Sequence, residues 1–313
     1  MGKTFLVTGG AGFIGSHIVH RLYGDGARVR VVDNLSTGKK ERLRDLNGSI
    51  DLVEDDLTDP HVCDRAVQGV DYVLHQAAVP SVYRSIQDPI ATNRANVIGT
   101  LNLLESCRQH KVRRLVYAAS SSAYGDTQVL PKKEDMGANP LSPYALQKFV
   151  GERYCKLYND LYGLETVSLR YFNVFGPSQD PWSEYSAVIP KFATRLHCGQ
   201  SLSVYGDGEQ SRDFTYVDNV VEANILAIRA QKASGAVINV GCGERLSLNR
   251  LIQLLEEILQ TQAVVNYEPA RRGDVRHSLA DISLARELLG YQPKVTVLEG
   301  LRRTVEFFVS HGQ

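Results

Sequence analysis

The stretch Thr8-Gly9-Gly10-Ala11-Gly12-Phe13-Ile14-Gly15 decides the fold. A short apolar run of strand-forming residues, Lys3 to Val7, leads into it, and the pattern after it predicts a helix from Phe13 to about Tyr23. Strand, glycine turn and helix in that order form the phosphate cradle of a nucleotide-binding unit. Gly9 lets the chain turn sharply, Gly12 has no side chain to block a pyrophosphate, and Gly15 lets helix and strand pack closely. An anion then rests on free amides at the helix N-terminus, among them those of Phe13 and Ile14, where the helix dipole favours it. The spacing is Gly-x-x-Gly-x-x-Gly and matches the Gly-x-Gly-x-x-Gly pattern only loosely, so context has to carry the reading.

Arg28 to Val32 reads as a second strand ending in Asp33. An acid about 20 residues beyond the glycines is where adenosine ribose hydroxyls are held. A carboxylate there accepts hydrogen bonds from a diol and repels a 2′-phosphate, which favours NAD over NADP. Lys39 and Lys40 follow closely and leave some tolerance of NADP open. Asn34, Ser36, Thr37 and Gly38, directly after the acid, join it on the cofactor side. Asp51 to Leu57 reads as a third strand with an acidic end, Asp56 facing the adenine amino group and Leu57 packing on its ring.

The chain has 313 residues, enough for one large domain or two lobes. It is 43% apolar and 22% charged, with 35 basic and 35 acidic residues, so no overall field draws it to nucleic acid or an anionic membrane. No apolar run approaches the roughly 18 residues a spanning helix needs, and no basic, apolar leader precedes the first strand. The five cysteines, Cys63, Cys107, Cys155, Cys198 and Cys242, are scattered and lack Cys-x-x-Cys spacing, which argues against a metal site and a disulfide framework and fits a reducing cytoplasm.

Strands and helices alternate through residue 170. Asp71 to His75, Arg114 to Ala119 and Thr166 to Leu169 read as buried parallel strands. Ala91 to Gln109 carries Ala95, Ile98, Leu101 and Leu104 at helical spacing, and Tyr144 to Leu161 is a second long helix. The expected fold is α/β: a doubly wound parallel sheet of the Rossmann kind, with a smaller C-terminal α/β lobe. Residues 1–170 form the dinucleotide-binding part, 214–242 return to it through Val237 to Val240, and 171–313 otherwise form an interleaved substrate lobe. Helical patterns there cover Ile189–Cys198, Asn219–Gln231, Leu248–Gln260 and Val297–Val309.

Tyr144 and Lys148 lie four apart on a helix and share a face. An ammonium near a phenol favours the phenolate and lowers its pKa, which suits general acid–base work. Ser120, Ser121 and Ser122 end the fifth strand, and a hydroxyl from one of them can share the proton.

With these residues in view, the chain resembles the extended short-chain dehydrogenases/reductases of the nucleotide-sugar 4-epimerase group, especially UDP-N-acetylglucosamine and UDP-glucose 4-epimerases. The similarity runs through TGGAGFIGSH at the start, HQAA at 75–78, AASSSAYGD at 118–126, SPYALQK at 142–148, LRYFNVFGP at 169–177, YGDGEQSRDFTYVDNV at 205–220 and RRGDVRHSLAD at 271–281. The resemblance implies tightly held NAD, a UDP-sugar substrate, and Tyr144 taking the 4-hydroxyl proton while hydride leaves carbon 4. A 4-keto sugar then rotates and is reduced on its other face. It implies Ser120 as the family's serine or threonine, with Ser121 and Ser122 beside it. Gln76, Ala77 and Ala78 would line the NAD, and Tyr171 and Asn173 would bridge nicotinamide and sugar. Arg212 and Arg271 would clamp the diphosphate, Asp274 a ribose hydroxyl, and Val204 and Tyr205 would border the uracil. Ser81 and Val188 join the substrate side, and Arg84 is left open between a substrate contact and a supporting one. The family commonly pairs two subunits through helices at 91–110 and 142–161, so a homodimer is expected.

Related dehydratases carry acids just after the catalytic threonine, and related UDP-glucuronate decarboxylases a glutamate in the same stretch. Ser121 and Ser122 stand there instead, which disfavours both. A UDP-glucuronate 4-epimerase, a simple dehydrogenase that consumes its cofactor, and a non-enzymatic NAD sensor would share much of the same pattern. The intact Ser, Tyr and Lys set argues against the sensor. Four residues beyond Asp274, the family's gate near the sugar's 2-substituent falls on Ser278. A small residue there implies room for an N-acetyl group.

Overall fold

The computed structural model describes all residues except Met1, Asn47, 182–186, 271–274 and 312–313. Its central sheet contains β1 (Thr4–Thr8), β2 (Arg28–Val32), β3 (Asp51–Val53), β4 (Tyr72–His75), β5 (Arg114–Ser120), β6 (Glu165–Tyr171) and an edge strand, Val237–Val240. All seven are parallel, in the order edge strand–β6–β5–β4–β1–β2–β3. Strand order reverses between β1 and β4, the switch point beyond whose C-terminal ends sheets of this kind leave a crevice. The third strand is shorter than its sequence suggests. It stops at Val53, because the acidic residues that follow are better served outside a buried parallel ladder, and Asp56 accepts from the Thr58 amide at 2.8 Å.

Alternate strand residues serve two apolar layers, as a period of two requires. Leu6, Val73, Leu115 and Tyr117 belong to one, with Leu103 and Leu104 and the fully buried Cys63, Cys107 and Cys155, which pack as small apolar groups. This layer lies under the helices Pro60–Val67, Gly99–Gln109 and Pro143–Tyr162. Val7, Leu74 and Val116 belong to the other, under Phe13–Gly24 and Val217–Arg229. That second cluster runs on without a break into the helices Val188–His197, Leu248–Leu259 and Val297–His311. Three two-stranded ladders extend the same side: Val174–Phe175 with Thr215–Tyr216, Ser211–Arg212 with Leu246–Ser247, and Leu202–Tyr205 with Val265–Glu268.

The helical stripe expected over 91–109 is displaced. Pro89–Asn93 and Gly99–Gln109 are α-helical, but Arg94–Ile98 between them is a π turn. The extra residue of such a turn rotates the face that follows it. Asn96, Val97, Thr100, Leu103, Leu104 and Cys107 are therefore buried, whereas Ile98 is 40% exposed.

Two polar devices cross this core. Arg170 of β6 donates Nε and Nη2 to the two carboxylate oxygens of Glu152, both at 2.8 Å, with side chains 4% and 2% exposed. His75 lies buried between Thr8 Oγ1 at 2.7 Å and Thr100 Oγ1 at 2.9 Å. Thr100 spends its own proton on the Asn96 carbonyl at 2.8 Å, so it accepts from His75 Nε2–H. Nδ1 then accepts from Thr8, whose oxygen also receives the Ala77 amide at 3.3 Å. Burial, and secondarily the Lys148 charge, lowers the His75 pKa to about 3.

Glu152→Ala leaves Arg170 buried without its counter-charge, and urea denaturation should show a loss of about 3–5 kcal/mol; a loss under about 1 kcal/mol would contradict the pairing as a structural requirement. His75 predicts an acid slope. The unfolded chain takes up this proton near pH 6.5 and the folded chain not until about 3, so its contribution is full above about 6.5 and falls away as pH drops toward 3. Asp213, raised to about 6, acts in the opposite sense and is common to both proteins in the comparison. Between pH 6.5 and 4.5, stability of the parent should fall relative to His75→Gln by up to about 1.4 kcal/mol per pH unit. Equal slopes for the two proteins would rule this out.

Candidate active site

The dinucleotide turn is built from close backbone contacts. Gly9 has φ +66°, its amide donates to Val32 O at 2.7 Å, and a Cβ there would lie 2.7 Å from the Ala77 backbone. A Cβ on Gly12 would lie 2.9 Å from Gly9 O, and one on Gly15 would collide with that same carbonyl. The helix that follows begins at Phe13 with no side chain capping its amides and no acid in its first turn. Its N-terminus is left open to an anion.

Asp33 sits buried beside this turn. Its Oδ2 accepts from Ala11 N at 2.9 Å and its Oδ1 from Leu35 N at 2.9 Å, and Gly38 packs so close that a Cβ would come within 2.6 Å of Oδ1. Each oxygen keeps lone-pair capacity, which a ribose diol can use. Asn34 Nδ2 donates to Asp56 Oδ2 at 2.7 Å, and Ser36 donates to Asn34 Oδ1 from both its amide and hydroxyl. Thr37 lies in the loop between Ser36 and Gly38. Burial pushes the Asp56 carboxyl up, but hydrogen bonds from Thr58 and Asn34 outweigh it and hold the pKa low. Leu57 is almost wholly enclosed by the core, which leaves little of it for an adenine ring. The lysines that suggested NADP tolerance are engaged elsewhere, Lys40 with Glu54 at 2.6 Å and Lys39 with Asp180 at 3.8 Å. Open helix amides, the spaces only glycine leaves, and a carboxylate with spare acceptors suit the diphosphate and ribose of NAD.

Across the crevice, Ser120 ends β5. Its Oγ lies 2.8 Å from Ser122 Oγ and accepts the Ser122 amide at 3.2 Å, closing the short turn Ser121–Tyr124. Tyr144 stands in the first turn of Pro143–Tyr162, whose N-cap, Ser142, accepts from Ala145 N. Burial raises the Tyr144 pKa, and a hydrogen bond with Ser120 opposes the rise. This corrects the expectation that Lys148 depresses the phenol. The Lys148 ammonium is directed at the sheet, donating to Ala118 O at 2.8 Å and lying 4.9 Å over the Tyr117 ring, and burial lowers its own pKa to about 8.

Several supporting residues were invisible to motif reading. Ser85 accepts the Tyr144 amide at 3.0 Å, fixing the helix Val82–Gln87 to the phenol's backbone. Asn96, turned inward by the π turn, accepts the Val79 amide at 2.7 Å and donates to Gln147 Oε1 at 2.8 Å. It thereby fixes Val79 to the helix that bears Tyr144 and Lys148. Tyr171 OH is within 3.2 Å of Gln76 Oε1 and hydrogen-bonded to Asn224, so its hydroxyl is committed inside the protein rather than free to bridge two ligands. A polar residue on a largely apolar helical stripe was the one signal for Asn224.

On the substrate side, Asn173 (φ +26°) donates to Ser278 Oγ at 3.1 Å and to Asp213 O at 3.3 Å. Ser278 N donates to Ser211 O at 3.0 Å, so the segment with Ser278 runs beside Ser211–Arg212. Asp213 is fully buried and accepts from Cys242, Gly243 and Ala280 amides at 2.8, 3.0 and 3.1 Å; burial raises its pKa to about 6 against those bonds. Arg212 Nη1 donates to Ser211 O and Arg276 O. In the strand Leu202–Tyr205, the Val204 side chain is fully buried in the core, whereas Tyr205 is half-buried. Ser81 caps the helix at 82–87, accepting from Arg84 N, and Arg84 is exposed on it. Val188 opens its helix half-buried. Arg271 and Asp274 lie outside the described residues.

The profile of the NAD dependent epimerase/dehydratase family matches residues 5–241. A putative UDP-glucose 4-epimerase of Methanocaldococcus jannaschii is 39% identical over 98% of this chain and 99% of its own length. The structure of UDP-glucose 4-epimerase from Thermotoga maritima with UDP-glucose superposes with a TM-score of 0.94 at 40% identity, covering 99% of this chain and 100% of that one. That of UDP-N-acetylglucosamine 4-epimerase from Methanobrevibacter ruminantium M1 in complex with UDP-N-acetylmuramic acid gives 0.95 at 42%, covering 99% of both. With a glycine turn, a buried acid beside it and a Ser–Tyr–Lys set, and with likeness over nearly its full length, the chain belongs to the NAD dependent epimerase/dehydratase family and is an enzyme whose cofactor is NAD.

Proposed function

We propose that the enzyme is a UDP-sugar 4-epimerase in which Tyr144 carries the proton of the sugar's 4-hydroxyl. The observation that supports this most is the meeting of Ser120 and Tyr144 at the C-terminal end of β5, across the crevice from the glycine turn. Bound NAD supplies the hydride acceptor and donor for carbon 4 and, when oxidised, a positive charge that favours the phenolate. Tyr144 accepts the 4-hydroxyl proton and returns it after the keto sugar has turned over. Ser120, the serine that reaches the phenol, shares that proton. Ser122 holds Ser120 in place. Lys148 keeps a positive charge behind the phenol. The lack of a carboxylate at Ser121 or Ser122 leaves no acid there for elimination, which favours epimerisation over dehydration.

In this reading residues 1–170 with 214–242 serve NAD and the rest serves the sugar nucleotide, with Arg212 at its diphosphate and Tyr205 at its base. Ser278 is small, nearly buried and bonded to Asn173, which favours a pocket that admits UDP-N-acetylglucosamine and UDP-N-acetylgalactosamine beside the plain hexoses. The helices at 89–109 and 143–162 expose Ile90, Ile98, Leu157 and Leu161, and a second copy of the chain is the proposed partner for that face.

Tyr144→Phe keeps the ring and removes the proton carrier. It should retain fold and NAD yet lose epimerisation by about 10²–10⁴; turnover near that of the parent sinks the mechanism. Ser278→Tyr should cut activity on acetylated sugars selectively, because overfilling a packed site costs roughly 1–3 kcal/mol. Both proteins are compared on UDP-glucose/UDP-galactose and on the acetylated pair. If the parent rejects acetylated sugars, or the variant loses both pairs alike, Ser278 is not the gate.

A further inference from the structure

We propose that the segment Pro177–Asp180 is a strap fastened across the dinucleotide turn, and that Arg42 is the positioning residue that fastens it and so keeps NAD bound through turnover. The inference rests on the epimerase reading for its purpose and on independent contacts for its substance.

Three side chains from the cofactor-binding part of the chain reach over to this distant segment. Arg42, in the short helix Lys40–Leu46, donates Nε and Nη2 to Ser178 O at 3.2 and 2.8 Å and Nη1 to Ala11 O at 3.0 Å. His17 Nε2 lies 3.1 Å from Pro177 O. A carbonyl only accepts, so this nitrogen carries the hydrogen. Lys39 Nζ pairs with Asp180 Oδ2 at 3.8 Å. Ser178 holds φ +65°, a left-handed conformation costly for a residue other than glycine, and Arg42 grips its carbonyl with two donors.

The anchor of the strap is the Ala11 peptide in the middle of the glycine turn. Its amide donates to Asp33 Oδ2 at 2.9 Å, and its carbonyl accepts from Lys39 N at 2.9 Å and from Arg42. The strap, the turn that cradles phosphate and the acid placed for the ribose are thus one hydrogen-bonded unit. Burial pulls the Arg42 pKa down and the charges of Asp180 and Asp33 hold it up, so the guanidinium stays charged in this half-enclosed place. An ordinary dehydrogenase must release its cofactor every cycle and gains nothing from such a fastening. An epimerase returns its cofactor to the starting oxidation state within each cycle, and loss between the two half-reactions would strand a keto sugar.

The test measures cofactor and not sugar. NAD content of purified protein is read by chromatography after denaturing extraction, and its loss is followed over time after dilution into buffer containing an NAD scavenger. The parent should hold close to one NAD per chain and release it slowly. Arg42→Ala should release it at least about tenfold faster, because three charge-assisted bonds are lost, and Arg42→Lys should fall between, since an ammonium keeps the charge but lacks the planar fork that puts two donors on Ser178 O and a third on Ala11 O. Saturating added NAD should restore kcat of Arg42→Ala to within about threefold of the parent, the loss lying in retention and not in chemistry. Release as slow as the parent's overturns the proposal. So does fast release with kcat that excess NAD does not restore, which would mark Arg42 as a general support of the site. If Arg42→Ala yields no soluble protein, Arg42→Lys carries the same comparison. A parent that holds NAD but does not epimerise defeats the reading of function and leaves the strap standing. A parent that epimerises yet sheds NAD rapidly does the reverse.

Discussion

The carboxylate of Asp33 shapes the cofactor side of this protein before any ligand arrives. It follows β2 directly and takes the Ala11 amide on one oxygen and the Leu35 amide on the other. Those two bonds set the glycine turn and the 33–38 loop in one fixed relation. The turn tolerates this only because Gly9, Gly12 and Gly15 leave no side chain between helix start and strand end. A methyl group at Gly15 would have to occupy the place of the Gly9 carbonyl. Position is purchased with glycine's entropy, and the surrounding sheet supplies what offsets it.

The catalytic side depends on the same economy of backbone contacts. Tyr144 is fixed less by its partner lysine than by where its helix begins. Ser142 caps that helix and Ser85 receives the Tyr144 amide, so the phenol reaches Ser120 with little freedom left. The phenol is held above its ordinary pKa by burial in the protein alone. Burial and the hydrogen bond with Ser120 thus pull its acidity in opposite directions, and any positive charge brought close to it would add to the pull of Ser120.

Much of this was legible in the sequence because the relevant signals are local. The glycine turn, Asp33, the strand ends and the helix bearing Tyr144 and Lys148 each follow from a short pattern, and the structure places them on one crevice. What was not legible depends on long-range packing. The π turn at Arg94–Ile98 shifts a whole helical face by one residue, and no residue type in that stretch announces it. The resemblance implied Val204 beside the uracil, yet strand alternation turns its side chain into the core. The supposed effect of Lys148 on Tyr144 took spacing for contact; the ammonium chose Ala118 O. Lys39 suggested tolerance of NADP, yet it pairs with Asp180, and Arg42 carried no signal at all because its partner, Ser178, lies far along the chain.

Asp213 shows what the substrate side costs the fold. A carboxyl raised from 3.8 to about 6 is less stable ionised in the folded chain than in the unfolded one. At neutral pH that weakens the fold by about 3 kcal/mol relative to acid. Three amides from two separate segments still converge on it, and its own carbonyl holds Asn173. An apolar residue would spare that cost but would leave three buried amides unpaired and free the Gly241–Gly243 and Ser278–Ala280 segments from each other. The ionised carboxylate therefore makes sense as a fixture of geometry, not of stability: it sets the distance between the end of the sheet and the segment that carries Ser278.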